Sequence, residues 1–357
     1  MKTHLFSLIA TLCFVLSLTA TAQTEVEPFV PGSTLEGVMY YLPRTAFRVT
    51  VIAEKTTTRP GDFHKYADRY LRLQNVPTEE SIFWNLKSIT LEPYGKPDKN
   101  KAYSIKIKSK TVAPLVGISR DGLLLSINTD ANESFLPDLP KPEKGQTPEN
   151  PRSYMTQEML AAGSTAKMAE LCAQEIYDIR DSKNALIRGE AENTPKDGAQ
   201  LKLMLEQLDK QASVLESLFS GTTQTDTEVF SFFYDPQQET SRDVLFRFSQ
   251  KLGVLDADNL AGEPVTVSLK VLDTLPATVP SEEAAKKRAK MEHGVYYNIP
   301  ARTKINIMYN GKEFVNMETP MAQFGIVDIL SNTLFDKKTT TQVTFFQTTG
   351  GTKDVME

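Results

Sequence analysis

Apolar residues in this chain recur at every second position on both sides of a central stretch, where the repeat lengthens to about 3.6 residues. Phe47–Val51, Tyr103–Lys108 and Leu123–Ile127 alternate in the first third, and Val265, Val267, Leu269 and Val271 alternate in the last. Between them, Met155, Met159, Ala162, Ala166, Ala169, Ile176 and Ile179 trace one helical stripe, and Leu201, Met204, Leu208, Ala212, Leu215 and Phe219 trace another. One period buries a strand face and the other a helix face, so the order of the periods sets the fold class. The expectation is α+β: mostly antiparallel β, as two related β domains with an inserted antiparallel helical hairpin.

Boundaries follow from composition. Residues 134–153 carry Pro137, Pro140, Pro142, Pro148 and Pro151, which forbid a regular helix and interrupt a ladder. This divides an N-terminal β-rich domain (23–133) from a helical hairpin (154–221), which leads to a C-terminal β-rich domain (222–357). Gly189 breaks the first helix; Asp197 caps the second, with Gln200 three residues on as in a capping box. Asp121-Gly122 and Asn310-Gly311 mark turns, the latter inside a hairpin. After Pro60-Gly61, Asp62 caps a short helix carrying Tyr66, Tyr70 and Leu73. Trp84 and Cys172 are placed in core packing.

Each β-rich part opens on nearly the same words. Gly37, Val38, Tyr40 and Pro43 reappear as Gly294, Val295, Tyr297 and Pro300, with Leu42 matched in kind by Ile299. Glycine permits close approach of a second strand, and proline holds the residue before it extended. The pattern predicts equivalent strand entries braced by tyrosine rings. A competing reading makes Tyr40, Tyr41, Tyr296 and Tyr297 an aromatic platform for a sugar or peptide. Neighbours on a strand face opposite ways, which limits such a platform to one ring of each pair.

The first 22 residues read as a secretory signal: Lys2, an apolar run from Leu5 to Leu18, and the small-x-small site Ala20-Thr21-Ala22 before Gln23. No later run is long enough to span a membrane as a helix. The expected location is outside the cytoplasm, in the periplasm, at the cell surface or secreted. Cys172 is then the one cysteine left, so no intramolecular disulfide forms. With 40 Lys plus Arg against 45 Asp plus Glu, the net charge is −5. The signs are interspersed, and the Lys286–Lys290 run is offset by nearby glutamates, giving no electrostatic case for nucleic acid.

Catalytic signatures are missing. His64, His293 and Cys172 make no metal-ligand spacing, and there is no phosphate loop, dinucleotide turn or nucleophile elbow. No cofactor and no catalytic residue is expected. A carboxylate pair needs no sequence proximity; Asp68, Glu158, Asp178, Asp235 and Asp256 are all nominees, and none is singled out.

Beyond these local readings, the chain resembles an exported Bacteroidetes family known as domain of unknown function 4831. The resemblance lies in the Gly37–Pro43 entry, the Pro60–Leu71 segment, Gly262-Glu263-Pro264, Gly294–Pro300 and Ala322-Gln323-Phe324-Gly325. It implies export and a unit bounded near residues 35 and 350, and brings no activity with it. Two functions compete: a cell-envelope scaffold or protein-binding module, whose partner is another envelope protein, and a glycan-binding protein or carboxylate-dependent glycan hydrolase.

Overall fold

Val38–Arg59 (β2) stays extended for 22 residues, far beyond the Phe47–Val51 alternation that announces it. Two long neighbours hold it open. Ser81–Lys106 (β3) pairs along almost its whole length, and Thr222–Tyr234 (β6) pairs with Phe47–Arg59 from the other side. With main-chain partners on both flanks, even the polar Lys55–Arg59 end satisfies its ladder and need not alternate to remain a strand. The computed structural model describes residues 25–29, 37–106, 115–192, 195, 197–273, 294–331, 334 and 341–356. The leader, His293 and the Lys286–Lys290 run lie outside the described residues.

Among the described residues, three antiparallel sheets make up the β structure. The first has the order β1-β3-β2-β6, with β1 at Glu25–Pro28. The second has the order β11-β10-β9-β7-β8, built from Thr240–Ser249 (β7), Gly253–Leu255 (β8), Glu263–Val271 (β9), Val295–Tyr309 (β10) and Lys312–Leu330 (β11). The third, smaller sheet has the order β13-β12-β5-β4, from Val116–Ile118 (β4), Leu124–Ile127 (β5), Gln342–Phe345 (β12) and Thr352–Met356 (β13). Strands from both ends of the chain therefore share sheets: β6 joins β2, and β12 pairs with β5.

The first two sheets face each other as a sandwich. Phe47, Val49, Val51, Ala53, Leu86 and Ile89 on one side meet Phe246, Phe248, Val265, Val267, Leu269, Ile305 and Ile307 on the other. Trp84 is buried in this core, in the packing role its apolar neighbours suggested. The β10–β11 turn is the expected one, with Asn310 and Gly311 at φ +47° and +75°, as a two-residue hairpin loop requires.

The helical layer is an antiparallel pair, Thr165–Arg188 (α3) and Gly198–Ser220 (α4), stitched by Arg180–Glu216 and Lys183–Asp209. Ala169, Cys172, Ile176, Leu215 and Phe219 pack against Phe63 and the short helix Ala67–Leu71 (α1). Two local expectations need correction. The stripe beginning at Met155 is not one helix: Gln157–Leu160 (α2) stops, and Ser164 caps α3 afresh by accepting from Lys167 N. Asp62 does not cap the turn before α1, because Phe63 precedes that turn with no side-chain cap.

The proline-rich stretch runs across the outer face of the first sheet. Pro137 O accepts from Arg48 Nη2 on β2 at 2.5 Å, and Glu143 O accepts from Thr227 N on β6 at 2.6 Å. Arg48 and Thr50 are consequently buried on a face that strand alternation assigns to solvent.

The two strand-entry glycines sit where a side chain has no room. A Cβ on Gly37 would overlap the carbonyl of Ile105, and one on Gly294 the carbonyl of Leu330. Gly294→Ala should lower unfolding free energy by about 1–3 kcal/mol. Gly198→Ala, in open space at the start of α4, should leave stability unchanged or raise it by up to about 1 kcal/mol. Urea titration of both variants checks the contrast.

Candidate functional site

The two echoing segments meet. Val38 lies opposite Ile105 and Val295 opposite Leu330, so each glycine-valine pair enters its strand against the end of a long partner. Each hairpin then slips in the same way. While β2 advances from Tyr41 to Pro43, β3 passes from Ala102 to Pro97; while β10 advances from Ile299 to Ala301, β11 passes from Ile326 to Met321. In the first, Leu42 is passed over and Pro43 resumes the pairing opposite Pro97; in the second, Pro300 itself is passed over, so each slip lies at or beside the proline that lacks a ladder donor.

Tyr40 joins the hairpins. It is fully buried, its hydroxyl donating to Tyr296 O at 3.2 Å and accepting from Tyr296 N at 3.0 Å. The ring of Tyr103 lies between those of Tyr40 and Tyr296, with centroids at 5.6 and 4.2 Å. Burial, opposed by the hydrogen bond to Tyr296, holds the Tyr40 phenol well above the usual tyrosine value. Burial also raises Tyr103, with the Tyr296 and Asp98 charges adding to it. Tyr297 packs beside this cluster and donates to Asp328 across its hairpin at 3.4 Å. Tyr41 turns the other way: its main-chain N–H donates to Gly122 O at 2.8 Å, and its ring packs beside Gly122. The structure thus gathers Tyr40, Tyr296 and Tyr297, adds Tyr103, and sets Tyr41 apart.

A C-terminal turn wedges between the two segments. Asn298 donates from its amide nitrogen to Pro43 O at 3.1 Å and Thr349 O at 2.8 Å, and from its main chain to Gly350 O at 3.1 Å. Gly350 lies against Pro43 and Gly351 against Pro300, so the echoed prolines seat successive glycines.

Two of the grooves among the described residues have the linings that best suit a ligand. One, of about 570 Å³, lies between Leu91–Gly95 of β3, residues 133–137 and Gln347-Thr348. Tyr94 and Phe135 give it aromatic walls, and the Arg120 guanidinium lies 5.3 Å from the Phe135 ring centre. Its glutamates are already engaged: Glu92 accepts from Arg48 Nε at 2.7 Å, and Glu133 accepts from Arg120 N at 3.2 Å. The other groove, of about 560 Å³, opens at the side of the sandwich between β6 (Val229–Phe232) and β7 with β8. Phe230, Phe232, Leu245, Phe246 and Val254 make it apolar.

The model of a protein family described as a domain of unknown function, DUF4831, matches residues 36–353. The chain belongs to the DUF4831 family. No curated protein and no solved structure gives a match. The DUF4831 match starts one residue before Gly37 and ends just beyond Gly351, so it includes both echoed entries and the wedge between them.

Among the described residues of this DUF4831 chain, no three His, Cys, Asp or Glu side chains are grouped to hold a metal ion, and no helix is long and apolar enough to cross a membrane. Cys172 is buried against Met159, its thiol pushed up to about 11 chiefly by burial. Sequence reasoning missed Tyr103, because it stands outside the echo, and Asn298, because the first segment has Tyr41 in its place. Nothing local to Phe230 and Phe232 in the sequence reveals an edge at β6, because that depends on which sheet the strand joins.

Tyr40→Phe removes both hydrogen bonds to Tyr296 while keeping the ring. It should destabilise the fold by about 1–3 kcal/mol, as for a buried main-chain group losing its partner. The pH dependence follows from the raised pKa. Native Tyr40 holds its proton more tightly than the unfolded chain, so its contribution is complete below about pH 10 and is lost as pH rises from there through the folded value. Stability of the parent chain should fall more steeply above pH 10 than that of Tyr40→Phe. Denaturant titration across the alkaline range, with phenolate absorbance, measures both.

Proposed function

We propose that this DUF4831 protein is an exported, non-catalytic module of the cell envelope that binds another protein through an open strand edge. The observation that carries the reading is the side groove, where the apolar interior of the sandwich is bounded by two strands whose facing flanks have, among the described residues, no strand partner along part of their length. On β6, main-chain bonds to β2 occupy one flank only. On β7, β8 pairs with Arg247–Ser249, and among the described residues no strand pairs with Thr240–Phe246 on that side. An edge of this kind presents main-chain donors and acceptors to an incoming chain, and the groove beside it supplies apolar contact.

A second reading, a glycan ligand, is favoured by Tyr94 and Phe135 lining the other groove. The engagement of Glu92 and Glu133 with arginine and main-chain partners supports binding there over carboxylate-dependent hydrolysis.

A photo-crosslinking residue placed at Ser231 should capture one envelope protein in intact cells, whereas the same residue at Lys202 on α4 should not. Equal capture from both positions, or none from Ser231, would remove the support for an edge partner. Export is checked on the same material: mass spectrometry of the mature chain should find Gln23 at its N-terminus.

A further inference from the structure

The hydrogen bond from Thr227 N to Glu143 O fixes which main-chain groups of β6 point away from β2. In an uninterrupted antiparallel ladder every second residue faces outward, and β6 pairs with β2 without a register shift. Val229, Ser231 and Phe233 therefore face outward as Thr227 does. Among the described residues, no main-chain hydrogen bond closes on these three from the open side. The proline-rich stretch stops the edge at Thr227, and the available window runs from there to the end of the strand.

We propose that this window takes one extended segment of a different protein, apolar at alternate positions and flanked by lysine or arginine. This rests on the strand-acceptor reading above and specifies its partner. A strand laid along β6 directs alternate side chains toward Phe230, Phe232, Leu245 and Val254, and the others toward solvent. The accessible charge at the rim is acidic. Asp256 lines the groove, and Asp243 stands close enough to Tyr234 to add to the burial that raises that phenol to about 12. Among the described residues neither carboxylate makes an ion pair with a lysine or arginine. The nearby arginines are directed elsewhere: Arg242 lines a hollow with Glu263 and Asn306, and Arg247 is held by the carbonyls of Ala257 and Gly262. Acidic rims of this kind select basic flanks and disfavour acidic ones.

The full chain is titrated with two fluorescent peptides that alternate valine and serine, one flanked by lysines and the other by glutamates. The lysine-flanked peptide should bind about tenfold tighter or more, and Asp243→Lys with Asp256→Lys should abolish or invert that ratio. Ser231→Pro, which removes an outward N–H without touching the groove floor, should weaken both peptides about tenfold. Should that variant fail to fold, the charge reversal decides by itself. No binding of either peptide overturns the strand-acceptor reading together with its specification. Equal binding of both peptides, unchanged by charge reversal, leaves that reading standing and overturns the basic-flank assignment. Concentration-dependent self-association that excludes the peptides makes a second copy the occupant and overturns the proposal of a different protein.

Discussion

Burial of β2 on every side is the constraint on which the other elements depend. Its inward residues Phe47, Val49, Val51 and Ala53 are fully buried in the sandwich, β3 and β6 take its main chain, and the proline-rich stretch lies across Arg48. An arginine under a strap requires a partner, and Arg48 has two, the Glu92 carboxylate and the Pro137 carbonyl. That arrangement replaces the water an outer-face arginine would ordinarily have, and it ties a segment lacking regular secondary structure to the centre of a sheet. Thr50, two residues on, is less well served: its buried hydroxyl has no partner among the described residues.

At the far end of β2 a different interaction closes the molecule. The Tyr40 hydroxyl both donates to and accepts from the main chain of Tyr296, as a neighbouring strand residue would. Gln323 repeats the device, its side-chain amide accepting from Thr45 N and donating to Thr45 O. Side chains thus complete main-chain pairing at places where β2 and the second sheet are too divergent for a ladder. The equal slips, one just before Pro43 and one at Pro300, leave the C-terminal turn its seat between the hairpins. Glycines at 350 and 351 follow from that seat, since any larger residue at 350 would press on Pro43.

Features that depend on neighbours in sequence were legible before the structure. The change of period located the helical pair, Asn310-Gly311 gave a hairpin, and the echo marked two strand entries with matching registers. Features that depend on distant partners were not. Thr56–Thr58 carry no alternation, yet they are strand because β6 arrives from more than 160 residues away to pair with them. The break at Gly163 was overridden by the apolar stripe, although a glycine-serine step before Lys167 is a cap signal in its own right. For the candidate site, repetition pointed to four tyrosines. The repeat held no sign of Tyr103, whose ring stacks between those of Tyr40 and Tyr296, nor of the side groove, which exists because β6 belongs to the first sheet and β7 to the second.

That division explains why the sandwich has an open side. The chain leaves β6 at Tyr234 and must cross to the other sheet to begin β7 at Thr240, so two successive strands become neighbouring edges of different sheets. Natural sheets blunt such edges with charge, proline or a covering segment. Here each device is present and each is partial: Glu143 covers Thr227, Asp235-Pro236 ends the strand, and Asp243 and Asp256 charge the rim. Between these limits lie about seven residues, roughly 23 Å of extended chain, the length of an ordinary strand. Complete protection would have needed only a few more residues of strap along β6. Instead the strap turns from the edge after Gly145 toward α4, where Glu149 pairs with Lys210, leaving a window about one strand long.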